Sequence, residues 1–253
     1  VTIDPIDDVV YGNPVVITFN IVNETDFVTV SVIDVNDPDK EIDFESADGT
    51  ITINDLTVGN YTVNIHNGGT DCYNESEASA NFSVVQAGSS VTIDPISDVV
   101  YGTPVVINFT IVNETDFVTI SVNDVNNPDK VIEYVNGETS ITVNDLPAGD
   151  YIVNIHNGEN ELYTESQANA TFSVLQAGSS VTIDPVEDVV YGTPVVITFN
   201  IVNETDFVTI SVIDVNDPDK VIEYEYAEGN ITVNDLPVGD YIVNIHNGES
   251  DLF

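Results

Sequence analysis

Asp34-Val35-Asn36-Asp37-Pro38-Asp39 packs four oxygen-bearing side chains, Asp34, Asn36, Asp37 and Asp39, into six residues. The pattern returns at Asp124, Asn126 and Asp129, and again at Asp214, Asn216, Asp217 and Asp219. Hard cations want several oxygen ligands close together, so calcium is the cofactor this spacing permits. The second copy has Asn127 where the others have Asp37 and Asp217, so it offers one carboxylate fewer. Asp, Asn and Pro are also the residues that build turns, and a plain turn is the competing reading.

Lys40, Lys130 and Lys220, one beside each copy of that segment, are the only Lys or Arg residues in the chain. Cross-linking such a Lys to an Asn or Asp needs a neutral, desolvated amine. Beside a hydrophilic turn the expectation is instead an exposed Lys paired with local carboxylates. His66, His156 and His246 fall on outward strand positions, and no Ser or Cys nucleophile is spaced to work with them. The expectation is solvated histidine and no enzyme.

Asn-X-Ser/Thr sequons occur at Asn23, Asn60, Asn74, Asn81, Asn108, Asn113, Asn169, Asn203 and Asn230. Asn23, Asn113 and Asn203 share one equivalent loop. Together with Asn108, Asn169 and Asn230 they are the candidate glycan sites, provided the chain is extracellular. A chain rich in Asn and Thr also makes sequons by chance. Cys72 is the single cysteine, and its counterparts are Leu162 and Leu252. The expectation is a small apolar residue near the core, with an intermolecular disulfide or a reactive thiol as the alternatives.

These residues sit on a repeated frame. Val1-Thr2-Ile3-Asp4-Pro5 returns at Val91 and at Val181, a period of ninety residues. The second and third copies agree at roughly four positions in five, and so long a regular period means tandem domains. The division expected is 1–90, 91–180 and 181–253, the third copy lacking the final strand that Ala80 to Val84 and Ala170 to Val174 supply to the others. Each copy reads as about seven short strands. Val15, Ile17, Phe19 and Ile21 share one face, Thr18 and Asn20 the other, the period of a half-buried strand. Ile42 and Phe44 are expected to point inward on a later strand. Leu146-Pro147-Ala148-Gly149-Asp150-Tyr151 is a turn feeding a strand, repeated at Tyr61 and Tyr241. A Tyr placed just after such a corner is the pattern of a tyrosine corner, its ring in the core and its hydroxyl tied to the corner backbone. Gln86-Ala87-Gly88-Ser89-Ser90 and Gln176-Ala177-Gly178-Ser179-Ser180 join the copies as short tethers, so successive domains are expected nearly end to end.

Composition narrows the function classes. The balance is 44 acids against 3 bases, net charge −41. Nucleic acid and anionic membranes bind through Lys and Arg, so both are excluded as partners. With 42% hydrophobic residues in alternating runs, the chain is expected to fold rather than stay disordered. No run of eighteen apolar residues exists, so no direct membrane insertion is expected. The chain opens at a repeat boundary without an initiator Met, which reads as a segment of something longer. Trp is absent, which weakens a sugar-stacking platform.

Tyr101-Gly102-Thr103-Pro104-Val105, the corner at Leu146 to Tyr151, and Tyr163 with Ala170-Thr171-Phe172-Ser173-Val174 carry a resemblance. Across its whole length the sequence resembles the immunoglobulin-like repeats of prokaryotic surface proteins, especially adhesin-like proteins of methanogenic archaea. The resemblance implies tandem all-β, immunoglobulin-like sandwiches in an extracellular, cell-surface, non-enzymatic stalk. It carries over no binding residues. Asp34 to Asp39 is also similar to the calcium-binding linker motif of cadherins, although here it lies mid-repeat. The expected partners are other copies or segments of the same protein, or glycans or proteins of a host or neighbouring cell surface. A filament or sheath subunit, its third sandwich completed by a strand from the next segment, is the alternative.

Overall fold

The computed structural model describes residues 1–45, 49–126, 139–224 and 229–253. Among them every regular element is a β-strand. In the first repeat these are β1 (Thr2–Ile3), β2 (Val9–Val10), β3 (Val15–Asn20), β4 (Val28–Asp34), β5 (Glu41–Glu45), β6 (Thr50–Ile53), β7 (Gly59–Asn67) and β8 (Ser76–Val85). Val, Ile, Phe and Thr dominate them, residues whose branched or aromatic side chains suit a pleated surface. One sheet runs β1-β3-β6 and the other β2-β8-β7-β4-β5. Strand β2 lies parallel to β8, while β8, β7, β4 and β5 pair antiparallel. Strict alternation turns Val15, Ile17 and Phe19 inward, where they meet Val30, Val32, Val63 and Ile65 of the facing sheet. The result is one apolar layer between two sheets.

The second repeat repeats this plan with β9 (Ser90–Ile93), β10 (Val99–Val100), β11 (Val105–Val112), β12 (Val118–Asp124), β13 (Ser140–Val143), β14 (Gly149–Asn157) and β15 (Ser166–Leu175). Its sheets are β13-β11-β9 and β10-β15-β14-β12. The third contains β16 (Ser180–Ile183), β17 (Val195–Val202), β18 (Val208–Asp214), β19 (Asp217–Tyr224), β20 (Asn230–Val233) and β21 (Tyr241–Asn247). Its sheets are β16-β17-β20 and β19-β18-β21. Each repeat has its own core cluster.

Where β8 and β15 cover the first two cores, the third repeat has a groove of about 470 Å3 lined by Val189, Tyr191, Tyr241 and Val243 among others. Tyr241 and Val243, and Ile245 further along the same strand, are half-buried. Their counterparts Tyr151, Val153 and Ile155 are no more than 2% exposed.

The corner geometry explains why Tyr follows Gly-Asp or Gly-Asn. Tyr61 Oη donates to Thr57 O at 2.8 Å, and Tyr151 and Tyr241 donate to Pro147 O and Pro237 O at 2.9 Å. The rings of Tyr61 and Tyr151 stack on Phe82 and Phe172 with centroids 5.4 Å apart. Burial pushes the Tyr151 phenol above its ordinary pKa, with the Asp124 carboxylate adding to the shift. A second fixed turn lies at Val10-Tyr11-Gly12-Asn13, closed by Asn13 N donating to Val10 O. Gly12 has φ +88°, a left-handed value that glycine adopts without steric cost.

The expectation for Ile42 does not hold. It is 38% exposed, because β5 pairs with β4 alone and forms the edge of its sheet.

Candidate functional site

The residues that converge most repeatably lie at the ends of the sandwiches. The loop after β7 opens on Gly68. A Cβ there would stand 2.8 Å from Phe27 Cβ, so the chain needs glycine for space. The loop then folds on itself. Thr70 N donates to Tyr73 O, and Thr70 Oγ1 accepts from the amides of Cys72 and Tyr73. Asn160 and Ser250 do the same work in the other repeats through Oδ1 and Oγ.

The preceding linker docks on this loop. Ala87 N donates to Leu162 O, and Thr164 N donates back to Ala87 O, both at 3.0 Å. Gln86 Nε2 donates to Asn160 O at 2.6 Å. Ser89 Oγ lies 2.6 Å from both Thr164 O and Ser166 Oγ. Asn113 Nδ2 donates to Gly88 O at 2.7 Å. Tyr11 meets Tyr163 edge-on, centroids 5.8 Å apart. The second junction repeats four of these contacts. Ala177 N donates to Leu252 O, Gln176 Nε2 to Ser250 O and Asn203 Nδ2 to Gly178 O, while Tyr101 meets Phe253. The linkers are therefore not free tethers. Small residues let their backbone lie against the next domain, and Gln and Asn side chains fix the register.

Beneath each of the three loops lies a polar clasp that the sequence reading did not single out. Asn157 is 0% exposed. Its Oδ1 accepts from Thr115 N at 2.9 Å and from Thr115 Oγ1 at 3.1 Å. Its Nδ2 donates to Asn113 O. Thr25 with Asn67, and Thr205 with Asn247, form the same bonds. The clasp satisfies backbone groups that a sheet end would otherwise leave buried and unpaired.

Among the described residues, those singled out from the sequence stand apart from one another along the repeats. Asp34 Oδ1 accepts from Asn36 N at 2.9 Å, and Asp124 and Asp214 accept likewise from Asn126 and Asn216. Asp37 and Asp217 stand 3.1 Å from Lys40 and Lys220. That hydrogen bond holds both ammonium groups above their ordinary pKa. Asp39 and Asp219 are exposed. Asp129 and Lys130 lie outside the described residues. Among those described, no three His, Cys, Asp or Glu side chains are grouped to hold a metal ion.

His66 and His156 stand 3.7 Å and 3.4 Å from Glu75 and Glu165 in exposed pairs. Of the sequon residues, Asn23, Asn60, Asn74, Asn81, Asn108, Asn169 and Asn230 are exposed, and Asn113 and Asn203 are half-covered. Asn23, Asn113 and Asn203 all take left-handed φ values near +55°, and the amide nitrogens of the last two hold linkers. Cys72 is exposed, against the expectation of a place near the core. Its counterparts Leu162 and Leu252 are half-buried, each under the linker that leads into its repeat.

No protein-family model matches the chain, and no curated protein matches it. Solved structures of multidomain chains do. The three N-terminal domains of the highly immunogenic outer capsid protein of bacteriophage RB49 align over 96% of this chain and 90% of that one, at 14% identity and TM-score 0.30. The eight N-terminal immunoglobulin domains of the Down syndrome cell adhesion molecule align over 89% of this chain and 30% of that one, at 14% identity and TM-score 0.34. A two-domain fibronectin type III segment of chicken tenascin aligns over 67% of this chain and 97% of that one, at 13% identity and TM-score 0.37. Likeness at this level carries no argument about ligand or partner. Among the described residues no helix is long and apolar enough to cross a membrane. By its own strand order and cores, the chain is a tandem array of immunoglobulin-like β-sandwiches.

Proposed function

We propose that this chain is a non-enzymatic spacer at a cell surface, a stalk whose repeats project or display an adhesive region carried elsewhere. The observation that carries the reading is the linker docking, in which the Ala amide, Gln side-chain and Asn side-chain bonds recur at both junctions. Backbone pairing plus Gln and Asn bonds hold each repeat against the next, so a string of them resists folding back. Strands of nine and ten residues make each sandwich about 30 Å long, so three in line reach roughly 100 Å. A net charge of −41 keeps neighbouring copies apart. The near-absence of Lys and Arg leaves few sites for trypsin-like proteases.

The likeness to adhesin-like proteins of methanogenic archaea rests on the sequence motifs alone. Glycans on the outward sequons Asn108, Asn169 and Asn230 fit this reading. The Asp34 to Asp39 turn is taken as a turn that needs no calcium. A filament or sheath subunit is the second reading. Its supporting observation is that both junctions run in the same direction, each linker onto the loop of the repeat that follows it, so the arrangement can continue in one line.

Antibody labelling of intact source cells tests the stalk. Labelling of unbroken cells, at a distance from the envelope, is the expected result. Labelling only after lysis contradicts it.

A further inference from the structure

Each clasp asparagine is followed by glycine, as Asn67-Gly68, Asn157-Gly158 and Asn247-Gly248. Asn-Gly is a chemically labile pair, because a glycine amide has no side chain to hinder its attack on the neighbouring Asn side-chain carbonyl. The fold calls for this pair at the same place three times. The asparagine is needed for the clasp, where Oδ1 accepts from the Thr115 amide and Nδ2 donates to the Asn113 carbonyl. The glycine is needed for space, since a Cβ at Gly68, Gly158 or Gly248 would stand 2.8, 2.9 or 2.7 Å from the Cβ of Phe27, Phe117 or Phe207. The closed sandwich also disarms the pair. Asn67 and Asn157 are 1% and 0% exposed, so water is kept from them. The glycine nitrogens that would attack instead donate to Phe27 O, Phe117 O and Phe207 O, at 3.0, 3.1 and 3.1 Å.

We propose that these three asparagines are deamidation sites gated by the opening of their own repeat. In an opened second repeat, hydroxide takes the proton of Gly158 N, and that nitrogen bonds to Asn157 Cγ. The Cγ–Nδ2 bond breaks, and the nitrogen leaves as ammonia after taking a proton from water, which returns the hydroxide. Water then opens the cyclic imide at either carbonyl, giving an aspartyl or an isoaspartyl residue. The net change consumes one water and releases one ammonia. Neither product rebuilds the clasp. A carboxylate has no hydrogen to donate to the Asn113 carbonyl, and it must be desolvated where the neutral amide sat. The isoaspartyl form also adds a carbon to the strand backbone. Opening becomes irreversible once the amide is lost, so each repeat keeps a chemical record of its own openings. The proposal rests on the clasp and is independent of what the rod displays.

The test holds the full chain in mildly alkaline buffer, native or denatured, and follows ammonia loss site by site with peptide mass spectrometry. Asn136-Gly137, a fourth such pair, lies outside the described residues and is mapped separately. The denatured chain sets the ungated rate at each site. In the native chain Asn157 is expected to react at least about a hundred-fold more slowly, by the factor that amide exchange gives for protection of Thr115 N. Thr115→Val removes a hydroxyl bonded to Asn157 Oδ1 and Gly158 O. It should speed Asn157 several-fold and leave Asn67 unchanged. Urea below the unfolding transition makes the same test without a substitution, with Asn157 loss and Thr115 N exchange rising in step. Native Asn157 reacting at the denatured rate would overturn the proposal. So would an Asn157 that stays equally slow while Thr115 N is loosened. An Asn157→Asp chain stands for the aspartyl product and should lose exchange protection at Ile120 and Val153. Protection unchanged there would overturn the irreversibility.

Discussion

Replacing Asn157 with Ala removes the whole amide of the second repeat's clasp. The Thr115 amide and the Asn113 carbonyl then lose their partners, while Thr115 Oγ1 keeps its bond to Gly158 O at 2.8 Å. A buried group left unpaired costs about 1–3 kcal/mol, and Asn113 is only half-covered, so the expected loss is about 2–4 kcal/mol. Tandem domains do not melt as one two-state unit, so the assay should be local. Native-state hydrogen exchange at Ile120, Val153 and Ile155 reads the second repeat, and Val63 and Ile65 read the first. The opening constant of the second repeat should rise about 30-fold to several hundred-fold, at about 1.4 kcal/mol per tenfold, while the first repeat stays unchanged. Asn154→Ala, on the outward face of the same strand, should shift exchange by less than about 0.5 kcal/mol. If Asn157→Ala behaves like Asn154→Ala, the clasp is not a stabilising element and the reasoning fails.

Gly158→Ala puts a Cβ 2.9 Å from Phe117 Cβ. Overpacking of this kind costs about 1–3 kcal/mol, read by the same exchange probes. Tyr151 has a raised pKa in the fold, so its contribution to stability is intact below the ordinary phenol value and declines as pH rises through the folded value. Alkaline titration should therefore destabilise the second repeat, and Tyr151→Phe should remove that part of the pH dependence while losing about 1 kcal/mol of corner hydrogen bond at neutral pH. If the acidic turn is a plain turn, calcium should raise the melting temperature no more than magnesium at equal ionic strength. A calcium-specific rise, abolished by Asp34→Asn, would restore the cation reading. Asn113→Ala should loosen the first junction, seen as faster exchange at Ala87 and Thr164, and leave the cores alone.

Much of the sandwich is legible because its signals are local. Val15, Ile17 and Phe19 alternate with polar residues, and the corner at Tyr61, Tyr151 and Tyr241 is spelled out in consecutive residues. Ile42 misleads because alternation marks a face without telling whether another sheet covers it. The clasp is hidden for a different reason. Asn67 continues the inward series of Tyr61, Val63 and Ile65, where a polar residue looks like a strand end, and its partner Thr25 lies 42 residues away. The available signal was the joint return of Thr25 and Asn67 as Thr115 with Asn157 and Thr205 with Asn247. Thr25 also completes the sequon at Asn23, so one letter carries two signals. The docked linkers leave still less trace, since they bond mostly to backbone carbonyls, and a carbonyl has no letter in the sequence.

The central claim is that the docked linkers hold neighbouring repeats in a fixed orientation. Residual dipolar couplings measured on the whole chain in a weakly aligning medium test it most directly. The account predicts that the first and second repeats fit one common alignment tensor. Separate tensors of unequal magnitude would mean that the repeats tumble on loose tethers, and the stiff rod would be wrong.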